Sequence, residues 1–167
     1  MKIKHALSAA LTAAMIVGGV SAPIYAQSQE TTREFLEQEE QCLALNIYYE
    51  ARGSNLADKA AVADVVLNRA QDRRYPSTVC DVVHDGYTKG RRDCQFSWYC
   101  DGKSDNPQDM DRWYEAQTIA YEMLTYNKYR GITEGATHYH ATYVNPRWAS
   151  SLQMVGRIGA HIYYRWE

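Results

Sequence analysis

The chain lacks the basic excess that nucleic-acid binding requires. Its 18 Lys and Arg stand against 20 Asp and Glu, a formal charge of −2, which leaves no footprint for a phosphate backbone. No internal repeat is visible, which removes solenoid and array architectures. No CxxC pair occurs among Cys42, Cys80, Cys94 and Cys100, so the spacing is poor for structural zinc. The one long apolar run, residues 6–20, is short for a spanning helix, which needs roughly 20 mostly apolar residues. Nothing marks a second domain, and 167 residues fit one.

The N-terminus reads as a secretory leader over residues 1–26. Lys2 and Lys4 precede the apolar run, Ser21-Ala22-Pro23 breaks it, and Ala26 offers a small residue at the cut. Cleavage there leaves 141 of the 167 residues, enough for a real core. It also takes 18 basic residues to 16 against 20 acidic, a balance of −4. Retention of the run as an anchor is the alternative; after cleavage no stable membrane span is expected. An exported chain with four cysteines favours disulfides, and four cysteines allow three connectivities. We favour Cys42–Cys80, tying the first helix to a later one, and Cys94–Cys100, closing a short loop. Tyr, at 14 residues, offers flat faces for sugars or filling for the core.

The pattern is mainly helical with a small C-terminal β region. Residues 27–40 form a polar lead-in, loose over 27–33 and helical from 34 to 51, with Glu37, Glu39 and Glu40 on a solvated face. Residues 56–70 are apolar most of the way round and belong in the centre of the core, with Asp64 and Asn68 as core hydrogen-bonding groups. Ser77 caps a short helix to about residue 84. Residues 86–106 are aperiodic, held by two cysteines, and contain Gln95-Phe96-Ser97-Trp98-Tyr99; a loop this long is usually functional. Asn106-Pro107 opens a helix running to about Tyr126. Residues 137–144 read as a strand, and 153–158 with 160–165 as a hairpin around Gly159.

Residues 41–53, QCLALNIYYEARG, concentrate the chemistry. A helix ends there and carries Glu50 on a largely apolar segment, where burial raises a carboxyl pKa. A carboxylic acid of raised pKa is what glycosidic bond cleavage uses. Pairing of Glu50 with Arg52 at a helix end is the equally simple structural reading. Asn46 sits one turn before Glu50 on the same side. Other candidates for substrate contact are Ser97 and Trp98 in the stapled loop, His138, Tyr139 and His140 on the strand, and Tyr143, Asn145 and Trp148 beyond it. Hydrogen-bonded structural histidines and a core Trp98 are the bland alternatives. His138, His140 and His161 could instead supply a catalytic zinc site for an amidase, and a glycan-binding module without catalysis is a further reading.

Five stretches taken together resemble one family. LALNIYYEARG, AVADVVLNR, YPSTVCDVV, CQFSW and GATHYHATYVNPRWA, with the closing IGAHIYYRW, resemble the SleB/CwlJ-type cell-wall hydrolases from about Cys42 to Trp166. The resemblance implies a catalytic domain over residues 41–167, α+β and mainly helical, with a lysozyme-like or resuscitation-factor-like fold. It implies cleavage between N-acetylmuramic acid and N-acetylglucosamine in peptidoglycan, by lytic transglycosylation or hydrolysis, with Glu50 as the catalytic residue. Where members often read EARGE, Ser54 replaces the second Glu, which supports a single essential carboxylate. The expectation is therefore an exported monomer acting on glycan strands without metal or other cofactor, in the periplasm or outside the cell.

Overall fold

A computed structural model describes residues 22–87 and 93–167. Its elements follow in the order α1 (Ala22–Ala51), α2 (Leu56–Gln71), α3 (Val79–Val83), a 3-10 turn (Ser97–Cys100), α4 (Met110–Tyr126), β1 (His138–Ala141), a second 3-10 turn (Arg147–Ser151), β2 (Gln153–Ile158) and β3 (His161–Arg165). The three strands form one antiparallel sheet in the order β1-β3-β2. Helices precede strands, so the architecture is α+β and mainly helical, as expected. Residues 1–21 of the expected leader lie outside the described residues. No described helix is long and apolar enough to cross a membrane.

α1 starts earlier than expected. Between Ile24 and Arg52 the chain contains neither Gly nor Pro, so nothing breaks the helix, and Pro23 sits in its first turn where a missing N–H costs nothing. The stretch expected to be loose, 27–33, is helical. Residues 26–38 are exposed and carry local contacts such as the Arg33–Glu37 pair. From Glu39 onward α1 enters the core: Leu43, Ala44, Ile47 and Tyr48 are buried. Glu39 corrects the expectation of a solvated acidic face. Its carboxylate accepts from the N–H groups of Val79 (2.6 Å) and Cys80 (3.1 Å), where the free N–H groups of a helix start favour an anion. Thr78, not Ser77, caps α3. Cys42–Cys80 ties the same two helices, and Cys94–Cys100 closes the loop, the pairing favoured above.

α2 is the centre. Ala60, Ala61, Val62, Ala63, Val65 and Val66 are fully buried, and the small side chains admit neighbours on both sides. One face meets α1, α3 and α4; the other meets Ala136 and Tyr163 of the C-terminal region. Each buried valine contributes about 1.5–3 kcal/mol. A helix covered all round must pair its polar groups internally. Asp64, fully buried, accepts from Arg130, from the N–H groups of Gly131 and Thr133 (both 3.1 Å), and from the Thr133 hydroxyl (2.6 Å). Asn68 donates to Thr133 and Ala136 and accepts from Arg130. Both act as the core hydrogen-bonding groups anticipated from the sequence, and they seat the turn that leads into β1. Lys59, also buried, pairs with Glu115 of α4 at 2.6 Å.

α4 starts three residues later than Asn106-Pro107 suggests, with Asp109 as its cap. The reason is Tyr48, whose hydroxyl accepts from the N–H groups of Gln108 and Asp109 at 3.0 Å and holds them outside the helix. β1 ends at Ala141, short of the expected residue 144, because Val144 turns back to bond Ala141. The β2–β3 hairpin forms around Gly159 as expected. Its φ is +57°, and a Cβ there would meet Asp58 of α2 at 2.6 Å, so only glycine fits this close approach. Removing the Asp64 carboxylate leaves Arg130 and three donors without their acceptor. We expect Asp64→Ala to cost about 3–5 kcal/mol, read as a lowered midpoint in thermal or urea unfolding.

Candidate active site

Glu50 stands in the last turn of α1, where the helix halts at Arg52 and Gly53. It opens onto a cleft of about 450 Å³ between the end of α1, the stapled loop at residues 94–97 and the helix-facing side of the sheet. A more open groove of about 550 Å³ lies along α1 and α3, beside Glu34, Gln38 and His84; it is separate from Glu50. The anticipated Glu50–Arg52 pair does not form. Arg52 donates instead to the Tyr48 hydroxyl at 3.1 Å.

Strand alternation places Tyr139 on the helix-facing side of the sheet, and its hydroxyl donates to Glu50 Oε2 at 3.1 Å. Burial pushes the Glu50 carboxyl above the ordinary carboxylate range. The Tyr139 bond, His161 in its protonated form and the Arg69 charge pull the other way without overcoming it. Burial likewise raises the Tyr139 hydroxyl well above its usual value, and the Glu50 charge adds to the effect. Tyr139 is therefore a donor throughout the neutral range.

Arg69 enters the cleft from α2. It donates to the Thr137 carbonyl at 2.7 Å and lies over the rings of Tyr75 and Phe96, 5.4 Å from each centroid. Asp58, on the same helix, accepts from His161 Nδ1 (2.8 Å), the Tyr163 hydroxyl (3.0 Å) and the Ala160 N–H (3.1 Å). His161 lines the cleft beside Glu50, with its ring edge-on to Tyr139 at 5.1 Å.

The residues singled out from sequence separate into three groups. Glu50, Ser97, Tyr139, His140 and Tyr143 line the cleft. Both ring nitrogens of His140 are engaged, Nδ1 with the Ala141 carbonyl and Nε2 with the Tyr164 hydroxyl. Asn46 and Trp98 lie behind the cleft wall, bonded to each other at 3.2 Å, with Trp98 stacked on Tyr49 at 4.8 Å. This corrects the expectation of sugar contact for both: Asn46 is fully buried. His138 and Trp148 belong to the opposite, outer side of the sheet, where their rings approach to 5.3 Å, and Asn145 is exposed outside the cleft. Burial, with the charges of Arg69 and Arg74, lowers the His138 pKa to about 4. The three histidines weighed as zinc ligands bond different side chains, Thr137, Tyr164 and Asp58, and no group of three His, Cys, Asp or Glu within ligating reach occurs among the described residues. Sequence reasoning passed over Arg69 and Asp58. Their signal was a charge on a helix apolar all round, which forces the charge to find a buried partner.

Residues 53–164 match the model of the cell wall hydrolase family; Glu50 stands three residues ahead of the matched segment. No curated protein sequence matches the chain. Two solved structures share its fold. The catalytic domain of the germination-specific lytic transglycosylase SleB from Bacillus anthracis is 24% identical, with a TM-score of 0.56, over 76% of this chain and 93% of that one. The catalytic domain of the Bacillus cereus SleB protein is 25% identical, with a TM-score of 0.55, over 77% of this chain and 91% of that one. With two thirds of its length inside the family model and a lysozyme-like fold around the cleft, the chain belongs to the cell wall hydrolase family and is a cell-wall-degrading enzyme.

Proposed function

We propose that the protein cleaves the glycosidic bond between N-acetylmuramic acid and N-acetylglucosamine in peptidoglycan as a lytic transglycosylase, with Glu50 as the catalytic acid. The observation that carries this reading is that Glu50 is, among the described residues, the one carboxylate lining the cleft. Glycosidases that activate water or form a glycosyl-enzyme place two carboxyl groups across the bond. A single carboxyl suffices when the nucleophile belongs to the substrate. Glu50, whose acid form burial favours, gives its proton to the bridging oxygen. The muramic acid 6-hydroxyl then attacks its own anomeric carbon and releases its proton, in the simplest scheme to the Glu50 carboxylate just formed. The product is a 1,6-anhydro sugar and no water is consumed. Family membership supports the substrate class. Ser97 and the exposed Tyr143 are the rim contacts for glycan.

The proposal sets four expectations. Glu50→Gln lowers turnover of purified peptidoglycan by about 10² to 10⁴ while pelleting with it as before; a binding module would show no turnover to lose, and a metal amidase would keep its activity in the variant and lose it to EDTA. The raised carboxyl means that the protonated form is the one folding favours. Its stabilising effect is full at acid pH and is lost as pH rises through the raised value, so Glu50→Gln, a mimic of the protonated form, melts above the parent at pH 7 and converges with it below about pH 4. Activity falls at alkaline pH as Glu50 ionises, and Tyr139→Phe, by removing a bond that favours the carboxylate, moves that limb to higher pH. Mass spectrometry of the digest reads the products: anhydro-muropeptides are expected, and exclusively hydrated reducing ends would instead identify a hydrolytic muramidase.

A further inference from the structure

We propose that Asp58 and His161 form a second proton-transfer device in the cleft, with His161 Nε2 taking the proton from the attacking hydroxyl while Glu50 acts as the acid. The proposal rests on the reading of Glu50 above and reassigns the second of the two protons. Asp58 comes from the first turn of α2 and His161 from the start of β3, and three contacts lock them together. The Asp58 carboxylate accepts from His161 Nδ1 at 2.8 Å, from the Tyr163 hydroxyl at 3.0 Å and from the Ala160 N–H at 3.1 Å. Burial pushes the Asp58 carboxyl up, but the bonds from His161, Ser54 and Ala160 outweigh it and hold it below the ordinary carboxylate range. Asp58 is therefore an ionised acceptor, and Nδ1 must be the donor. In the neutral ring this leaves the lone pair on Nε2. His161 is 7% exposed, its ring lines the cleft with Glu50, and Nε2 bonds no protein group among the described residues.

This is the logic of an imidazole base whose tautomer is set by a buried carboxylate. His140, the other cleft histidine, has both nitrogens occupied. The groups facing His161 are Glu50 from α1, Asp58 and Arg69 from α2, Tyr139 from β1 and Tyr163 on its own strand. The balance closes. The bond from C1 to the bridging oxygen breaks as the Glu50 proton moves to that oxygen; O6 then bonds C1 as its proton moves to His161 Nε2. Imidazolium and carboxylate remain, and one proton returning from His161 to Glu50 through solvent restores both groups.

His161→Ala in the full chain, assayed on purified peptidoglycan, is expected to lose about 10²-fold or more. Added imidazole should restore part of the rate in proportion to its free-base fraction. A folded variant that keeps more than a third of the activity overturns the proposal, as does a loss that imidazole does not relieve. A measurement on the parent is independent of how the variant folds. Long-range ¹⁵N–¹H spectra at pH 8 should show His161 as the Nδ1–H tautomer, and an Nε2–H tautomer refutes the assignment. Retained activity in Glu50→Gln removes the Glu50 reading; a dead Glu50→Gln beside an imidazole-insensitive His161→Ala removes this proposal alone.

Discussion

A helix with no solvent-facing side cannot leave a charge or amide unanswered, and that constraint on α2 organises the protein. Asp58, Lys59, Asp64, Asn68 and Arg69 stand among alanines and valines, and each must find its partner in another element. Lys59 takes Glu115 of α4. Asp64 and Asn68 take the turn at residues 130–136. Arg69 takes the carbonyl ahead of β1, and Asp58 takes the hairpin. The sheet is small, and its own pairings would hold it weakly. Polar bonds from one buried helix place it over the end of α1, and so place Tyr139 and His161 beside Glu50.

The same burial that gives the fold its order makes Glu50 reluctant to ionise. A carboxyl in such a setting lowers stability at neutral pH relative to a neutral isostere, an exchange of stability for activity that accords with the role proposed for it. The Tyr139 hydroxyl moderates the effect by favouring the carboxylate. The site is thus a balance between desolvation on one side and a tyrosine, a histidine and an arginine on the other.

Much of this was legible in the residues. The all-round apolar character of α2, the break at Gly53 and the Val- and Tyr-rich ends gave the elements, and the helical end at residues 41–53 carried Glu50. The failures have physical causes. Residues 27–33 look loose because they bury nothing, yet no breaker interrupts them. The later start of α4 follows from a tyrosine hydroxyl some 60 residues away in sequence, which no local pattern contains. Trp98 and His138 were drawn toward the substrate because aromatic and imidazole groups suit sugars. Their actual positions depend on which wall of the loop and which side of the sheet they occupy, and composition cannot distinguish these. His161 stood out as a titratable group, but its partner, Asp58, lies 103 residues away.

Gly159 extends this dependence to heredity. With no room for even a methyl group between the hairpin and Asp58, positions 58 and 159 cannot drift separately. A bulkier residue at the bend forces the carboxylate to yield, and a carboxylate that yields releases the imidazole it orients. A contact too tight for one added carbon atom thus couples two positions 101 residues apart in the chain.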